Sequence, residues 1–299
     1  MKRGPAKKKR KKRKGTSYHP ILIGLLKVVG IVVVLGAAGV GFVLLRGYVW
    51  RAVFGNERRA ALVVAKPPWV TSQLEEKVLA AAWTNGENLK LDEHFNAKPL
   101  EENIEYLVPW LKKVKVQQFG DTLHITGPWR KPLVLVESRR QKFYVDAELV
   151  VLDYVDIPTL PIVKVRGLSA LIDNPTVGEP LQLDDLAAAT VIINLLDKMD
   201  QKVTPDKPLL HEIAAIDVSN FGGRRNNRKP HIVLCAKNDV QIVWGAEKDA
   251  WVQHFEVPDD EKLARLYEYY RQYGSLLGGV KSINLRDPQD RIPQPIERY

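Results

Sequence analysis

Apolar residues follow three kinds of pattern along this chain. The first is an unbroken run: Ile21 to Leu45 carries one charge, Lys27, and Val28 to Leu45 carries none. About 20 apolar residues suffice for a helix to cross a bilayer, so the run predicts a transmembrane helix over 21–45. The second is a helical repeat. Ser72, with Glu75 three positions on, reads as a capping box, and Leu74, Val78 and Leu79 then recur at helical spacing over 73–83. Pro99 suits the first turn of another helix, with Leu100, Ile104 and Leu107 on one face and Pro109 as its stop. The third is alternation, seen at 113–118, 122–126 and 133–137, with a Gly120-Asp121 turn; Ala60 to Ala65 reads as a short strand before the helices. Strand, two helices, strand, strand is an α+β unit over 58–137, with a predicted core of Leu74, Val78, Ile104, Leu107, Val114 and Ile125.

The remainder, 138–299, is mostly alternating. Strands are predicted at 143–145, 148–152, 162–165, 213–218, 232–236, 240–244 and 282–286. Two helices interrupt them. One spans 181–199, with Asp184 and Asp185 favouring its start through the helix dipole; the other opens at Asp259 and Asp260 and aligns Leu263, Leu266, Tyr267 and Tyr270. The basic stretch Gly222 to Lys229 reads as an exposed hairpin connection. The expected fold class is α+β: a single transmembrane helix, a small α+β domain, then a β-rich domain with a C-terminal helix and a closing strand.

Charge changes the picture at one end only. The chain has 45 Lys+Arg and 35 Asp+Glu, yet the tail to His19 holds ten of the bases and no acid, so the rest is balanced at 35 against 35. A pI near 9.5 therefore describes the tail, 1–20, and does not predict a specific nucleic-acid partner for the folded part. Basic residues remain on the cytoplasmic side of a span. This orientation places 46–57 as a linker and the domains beyond it outside the cytoplasm, in the cell (inner) membrane. The tail would attract anionic lipid. Lys27 can snorkel to the inner headgroups, and Tyr48 and Trp50 sit at the outer interface as membrane anchors. A cleavable signal peptide has a shorter apolar core. Pro5 to Lys11 also resembles a nuclear import signal or a nucleic-acid patch, but beside an apolar span a topogenic, lipid-binding tail is the simpler reading.

Catalytic signatures are missing from the sequence. No two of the six histidines lie four apart, and there is no HExxH, GxSxG, phosphate loop, GxGxxG or SxxK. The adjacent carboxylates Glu75-Glu76, Glu101-Glu102 and Asp259-Asp260 fall at helix starts, where solvated dipole capping explains them. The single cysteine, Cys235, lies in an apolar strand and reads as a buried, inert thiol. No catalytic residue, metal ligand or cofactor is predicted.

Several local sequences resemble the bacterial cell-division family FtsQ/DivIB. Val108-Pro-Trp-Leu-Lys-Lys-Val-Lys-Val116 is similar to that family's proline-tryptophan step into the second strand of its POTRA domain. Thr122-Leu-His-Ile-Thr126 is similar to the next strand of that domain, and Arg130-Lys-Pro132 to the basic-proline step beyond it. Phe143-Tyr-Val-Asp-Ala147, Leu160-Pro161, Asp239-Val-Gln-Ile-Val-Trp-Gly245, Lys262-Leu-Ala-Arg-Leu266 and Ser282-Ile-Asn-Leu-Arg286 resemble successive elements of its β domain. Asn284 stands where the family has aspartate, Asp287 where it has an aromatic, and Arg291-Ile-Pro-Gln-Pro-Ile296 places prolines near the closing edge.

The resemblance implies a POTRA domain at 58–137 and an FtsQ-like β domain at 138–299. It also implies a non-enzymatic, single-pass scaffold of the divisome, acting at the septum without cofactors. Its implied partners are FtsB/FtsL-like division proteins, bound by strand addition near Ser282, Asn284, Arg286, Asp287, Arg291 and Ile292. The alternatives are a membrane-anchored envelope enzyme and a POTRA-type transport or assembly component.

Overall fold

The computed structural model describes residues 61–83, 95–138, 141–276 and 281–289. The predicted membrane helix, the basic tail, and Lys27, Tyr48 and Trp50 lie outside them.

The first layer is built from β1 (Ala61–Val64), α1 (Ser72–Trp83), α2 (Lys98–Leu107), β2 (Lys115–Phe119) and β3 (Thr122–Thr126). β3 is central, parallel to β1 and antiparallel to β2. Leu74 and Val78 of α1 and Ile104 of α2 are buried together with Val114, Val116, Leu123 and Ile125. One expected core residue turns away: Leu107 is 45% exposed, while Val108 is buried. Leu100, Ile104 and Val108 are spaced by four, so the buried stripe continues past the helix end and leaves Leu107 at its margin.

The second sheet has eight strands: β4 (Pro132–Glu137), β5 (Lys142–Asp146), β6 (Val151–Asp153), β7 (Val163–Arg166), β8 (Ile213–Asp217), β9 (Ile232–Ala236), β10 (Gln241–Gly245) and β11 (Ser282–Asn284). Their spatial order is β11-β10-β9-β8-β7-β4-β5-β6. β4, the last strand of the 58–137 segment, thus pairs in the larger sheet, between β5 and β7. β6 begins only at Val151, because the Asp146 side chain first turns the backbone, accepting the Glu148 and Val150 N–H groups at 2.8 and 2.9 Å.

The sheet is mixed. β7 and β8 run parallel, as do β10 and β11, and parallel neighbours need a crossover. α3 (Asp184–Val203) supplies the first and α4 (Asp259–Tyr273) the second. Side chains alternate along the strands: Val134, Val136, Phe143 and Val145 join the core of α3 and α4, while Leu135, Tyr144 and Leu152 pack with the first layer. Trp110, fully buried, links the two, its Nε1 donating to Asp153 at 2.7 Å. Asp200 ties α3 to its neighbours. Its carboxylate accepts the Leu209 and Leu210 N–H groups at 2.8 and 3.0 Å and the Tyr267 hydroxyl at 2.8 Å.

The expected fold class needs correction. The α+β character stands, but no helix among the described residues is long and apolar enough to cross a membrane. The longest, α3, has 20 residues, but its sequence DDLAAATVIINLLDKMDQKV carries charges at both ends and buries an apolar stripe against a sheet. The architecture of the described residues is two sheets with flanking helices, without a spanning helix.

Candidate partner-binding edge

β11 closes the large sheet. Ser282, Ile283 and Asn284 register with Gln241, Ile242 and Val243. The ladder is extended by Gln241 N–H to the Lys281 carbonyl at 3.2 Å and Leu285 N–H to the Val243 carbonyl at 3.0 Å. Backbone groups alternate in direction along a strand, so Lys281, Ile283 and Leu285 face β10, and the amide groups of Ser282 and Asn284 lie on the far side. Ile283 and Leu285 are fully buried. A one-residue slip would expose both, which fixes the register. Ser282 is exposed, Asn284 half-buried and Asp287 exposed. Among the described residues no strand pairs with the outer side of β11. Arg291 and Ile292 lie outside the described residues.

Arg286 belongs to the support of this edge. Its Nε donates to Glu256 at 2.7 Å, and its carbonyl accepts the Val257 N–H at 2.9 Å. The other Glu256 oxygen takes the Ala246 N–H and the Lys262 ammonium, both at 2.9 Å. Lys262 is completely buried, with Asp259 at 3.7 Å and the Trp244 ring centroid 5.4 Å away. Burial alone would raise the Glu256 carboxyl; the Ala246 N–H, Lys262 and Arg286 outweigh it and hold the group below its ordinary value. Gly245 makes room for this: at φ +104° a Cβ would lie 2.1 Å from the Glu256 carboxylate. The turn after β10, the start of α4 and the exit of β11 therefore meet on one buried carboxylate.

Two other sheet edges are occupied. β2 ends the small sheet; its Val116 N–H donates to Glu101 of α2 at 2.8 Å, and the Val114 N–H just before it donates to Glu105. Glu101 thus spends its charge on a strand edge, where dipole capping alone was expected. β6 ends the large sheet opposite β11, and the 178–181 segment covers it. Val151 N–H donates to the Glu179 carbonyl at 3.0 Å, and the Val151 carbonyl accepts the Gly178 N–H at 2.8 Å.

The Gly222 to Lys229 connection is docked at Arg224. Its guanidinium pairs with the buried Asp185 at 2.9 Å and donates to the carbonyls of Ser219, Val218 and Gly167. Nearby, His231 Nδ1 lies 3.1 Å from Glu247, and the His231 and His254 rings meet edge to face at 4.8 Å. Glu247 is pushed up by burial, but its own N–H, that of Gly222 and His231 together hold it below the ordinary value. These three residues carry no local motif, being 16 and 7 positions apart in the chain. Cys235, on β9, is half-buried where full burial was expected, and burial raises its thiol pKa. No protein-family model matches the chain and no curated protein matches it at a significant level, which leaves the geometry of the β11 edge to carry the functional reading.

Proposed function

We propose that this chain is a non-catalytic scaffold of the bacterial division machinery, a divergent relative of FtsQ/DivIB. It recruits FtsB/FtsL-like membrane partners by accepting an extended segment beside β11, on the extracytoplasmic side of the cell membrane. A strand that ends a sheet can take an incoming chain through backbone donors and acceptors, and flanking side chains supply selectivity. The observation that carries this reading is the contrast between edges. Glu101 and Glu105 occupy β2, and the 178–181 segment occupies β6, whereas β11 ends the large sheet among the described residues, with Glu256 binding Arg286 at its exit and Lys262 behind.

The test perturbs the edge and the chain that follows it. Deleting Asp287 to Tyr299 retains Arg286 and its bond to Glu256. Asn284→Pro removes an N–H on the outer side and the side-chain oxygen that accepts the Arg286 N–H at 3.2 Å, but no bond to β10. Both variants are expected to keep the wild-type circular dichroism spectrum and to lose division-protein partners in crosslinked pull-downs. Normal recruitment by both folded variants would place the partner surface elsewhere.

A further inference from the structure

We propose that His231, Glu247 and His254 form a binding site for a divalent transition metal of the zinc class. One ligand atom from each residue lies within 4.8 Å of the other two, and they come from three places: the start of β9, the segment after β10, and the exposed turn beyond that segment. Two imidazoles and one carboxylate are the donor set that zinc takes in three-ligand sites, leaving a fourth position for water. Bonds of about 2.0–2.1 Å in a tetrahedron place ligand atoms roughly 3.3 Å apart. His231 Nδ1 and Glu247 Oε1, at 3.1 Å, already stand at that separation. Only His254 has to close in, and it is exposed, in a turn where Asp249 and Phe255 adopt positive φ.

The two inner ligands are set in place by the fold. His231 is buried, and Glu247 is held by the Gly222 N–H at 3.1 Å, the kind of outer hydrogen bond that orients a metal ligand. A metal here would fasten the 249–255 turn to the sheet. That turn runs directly into Glu256, whose carboxylate holds Arg286 after β11. The site is a clip on the support of the closing strand, and its existence does not depend on the proposed division role.

The experiment uses the full chain, stripped with chelator and titrated with zinc chloride against a chromophoric competitor. One zinc per chain is expected, with an upward shift of the thermal midpoint. His254→Ala, at an exposed position, preserves the fold, checked by circular dichroism. It is expected to weaken zinc binding by at least about tenfold and to abolish the shift; Glu247→Gln acts in the same direction. His211→Ala and His94→Ala serve as controls and bind as wild type. Absence of stoichiometric zinc, unchanged binding by His254→Ala, or a loss shared by a control would each overturn the site and leave His231–Glu247 as a hydrogen bond only.

Discussion

Glu256→Gln is the most direct probe of the buried carboxylate that joins β10, α4 and β11. The change keeps the volume but removes the charge that faces Lys262 and Arg286. Lys262 is fully buried, and breaking a buried ion pair from one side costs about 3–5 kcal/mol, because the remaining charge is left without compensation. Asp259 at 3.7 Å and the Trp244 ring at 5.4 Å retain part of the compensation, and the glutamine carbonyl can still accept one N–H. The lower end of the range, about 3 kcal/mol, is therefore expected. Urea unfolding of the full chain, followed by tryptophan fluorescence and circular dichroism, should show a lower midpoint at an unchanged slope. Lys262→Met is the counterpart: Glu256 keeps Arg286 and the Ala246 N–H, so its loss should be smaller, about 1 kcal/mol. In the double variant neither charge is stranded against the other, and its loss should fall short of the sum. A Glu256→Gln loss below about 0.5 kcal/mol, the size of an ordinary surface change, would refute the reasoning. So would strict additivity of the pair.

Packing and charge set two further outcomes. Ile104→Ala, in the fully buried stripe of α2, should cost about 2–5 kcal/mol in thermal or urea unfolding, and an unchanged midpoint would remove this face from the core. Acid should weaken the fold through Glu256 and Asp185, whose carboxyls are depressed against burial, the first by the Ala246 N–H, Lys262 and Arg286, the second by Arg224 and Ser169. Depressed carboxylates contribute stability above their unfolded pKa of about 4, and lose it as pH falls through the lower folded values. The unfolding free energy should therefore be level from neutral pH to about 5 and decline below about 4. Glu256→Gln should flatten that decline; an identical decline in the variant would dismiss Glu256 as its source.

What could be read from the sequence was local. The helical apolar spacing, Pro99 and Pro109 and the period-two runs locate α1, α2, α3, α4 and most strands, because those signals act within a few residues, whereas the capping box expected at Ser72 is not formed: Ser72 lies inside α1 and the Glu75 N–H donates to the Thr71 carbonyl. Leu107 was misplaced because the apolar stripe outlasts the helix: Ile104 and Val108 are four apart, and the last helical residue falls beside them. The apolar run Leu133 to Val136 announces a strand but says nothing about which sheet takes it, and β4 pairs with β5 and the distant β7. The closing strand itself was legible at Ser282 to Arg286. Its support was not: Glu256, Lys262 and Arg286 look like ordinary surface charges until the fold brings them together and buries Glu256 and Lys262. Glu101 and Glu105 were equally silent, since a carboxylate on a helix does not declare that it faces a strand edge. His231, Glu247 and His254 share no spacing that a helix or a strand would align, so only the folded chain brings them together.

The treatment of the sheet edges sets the valence of the molecule. A sheet open at both ends is a monomer for polymerisation: each added strand leaves a new edge, and growth continues into a fibre. Here the carboxylates over β2 close one end of the small sheet, and the 178–181 segment closes one end of the large sheet. Among the described residues one end of each sheet is thus occupied, and joining copies through both ends of one sheet would require displacing those contacts. If β11 takes a partner strand as proposed, growth of the large sheet can proceed in one direction only, away from the 178–181 segment.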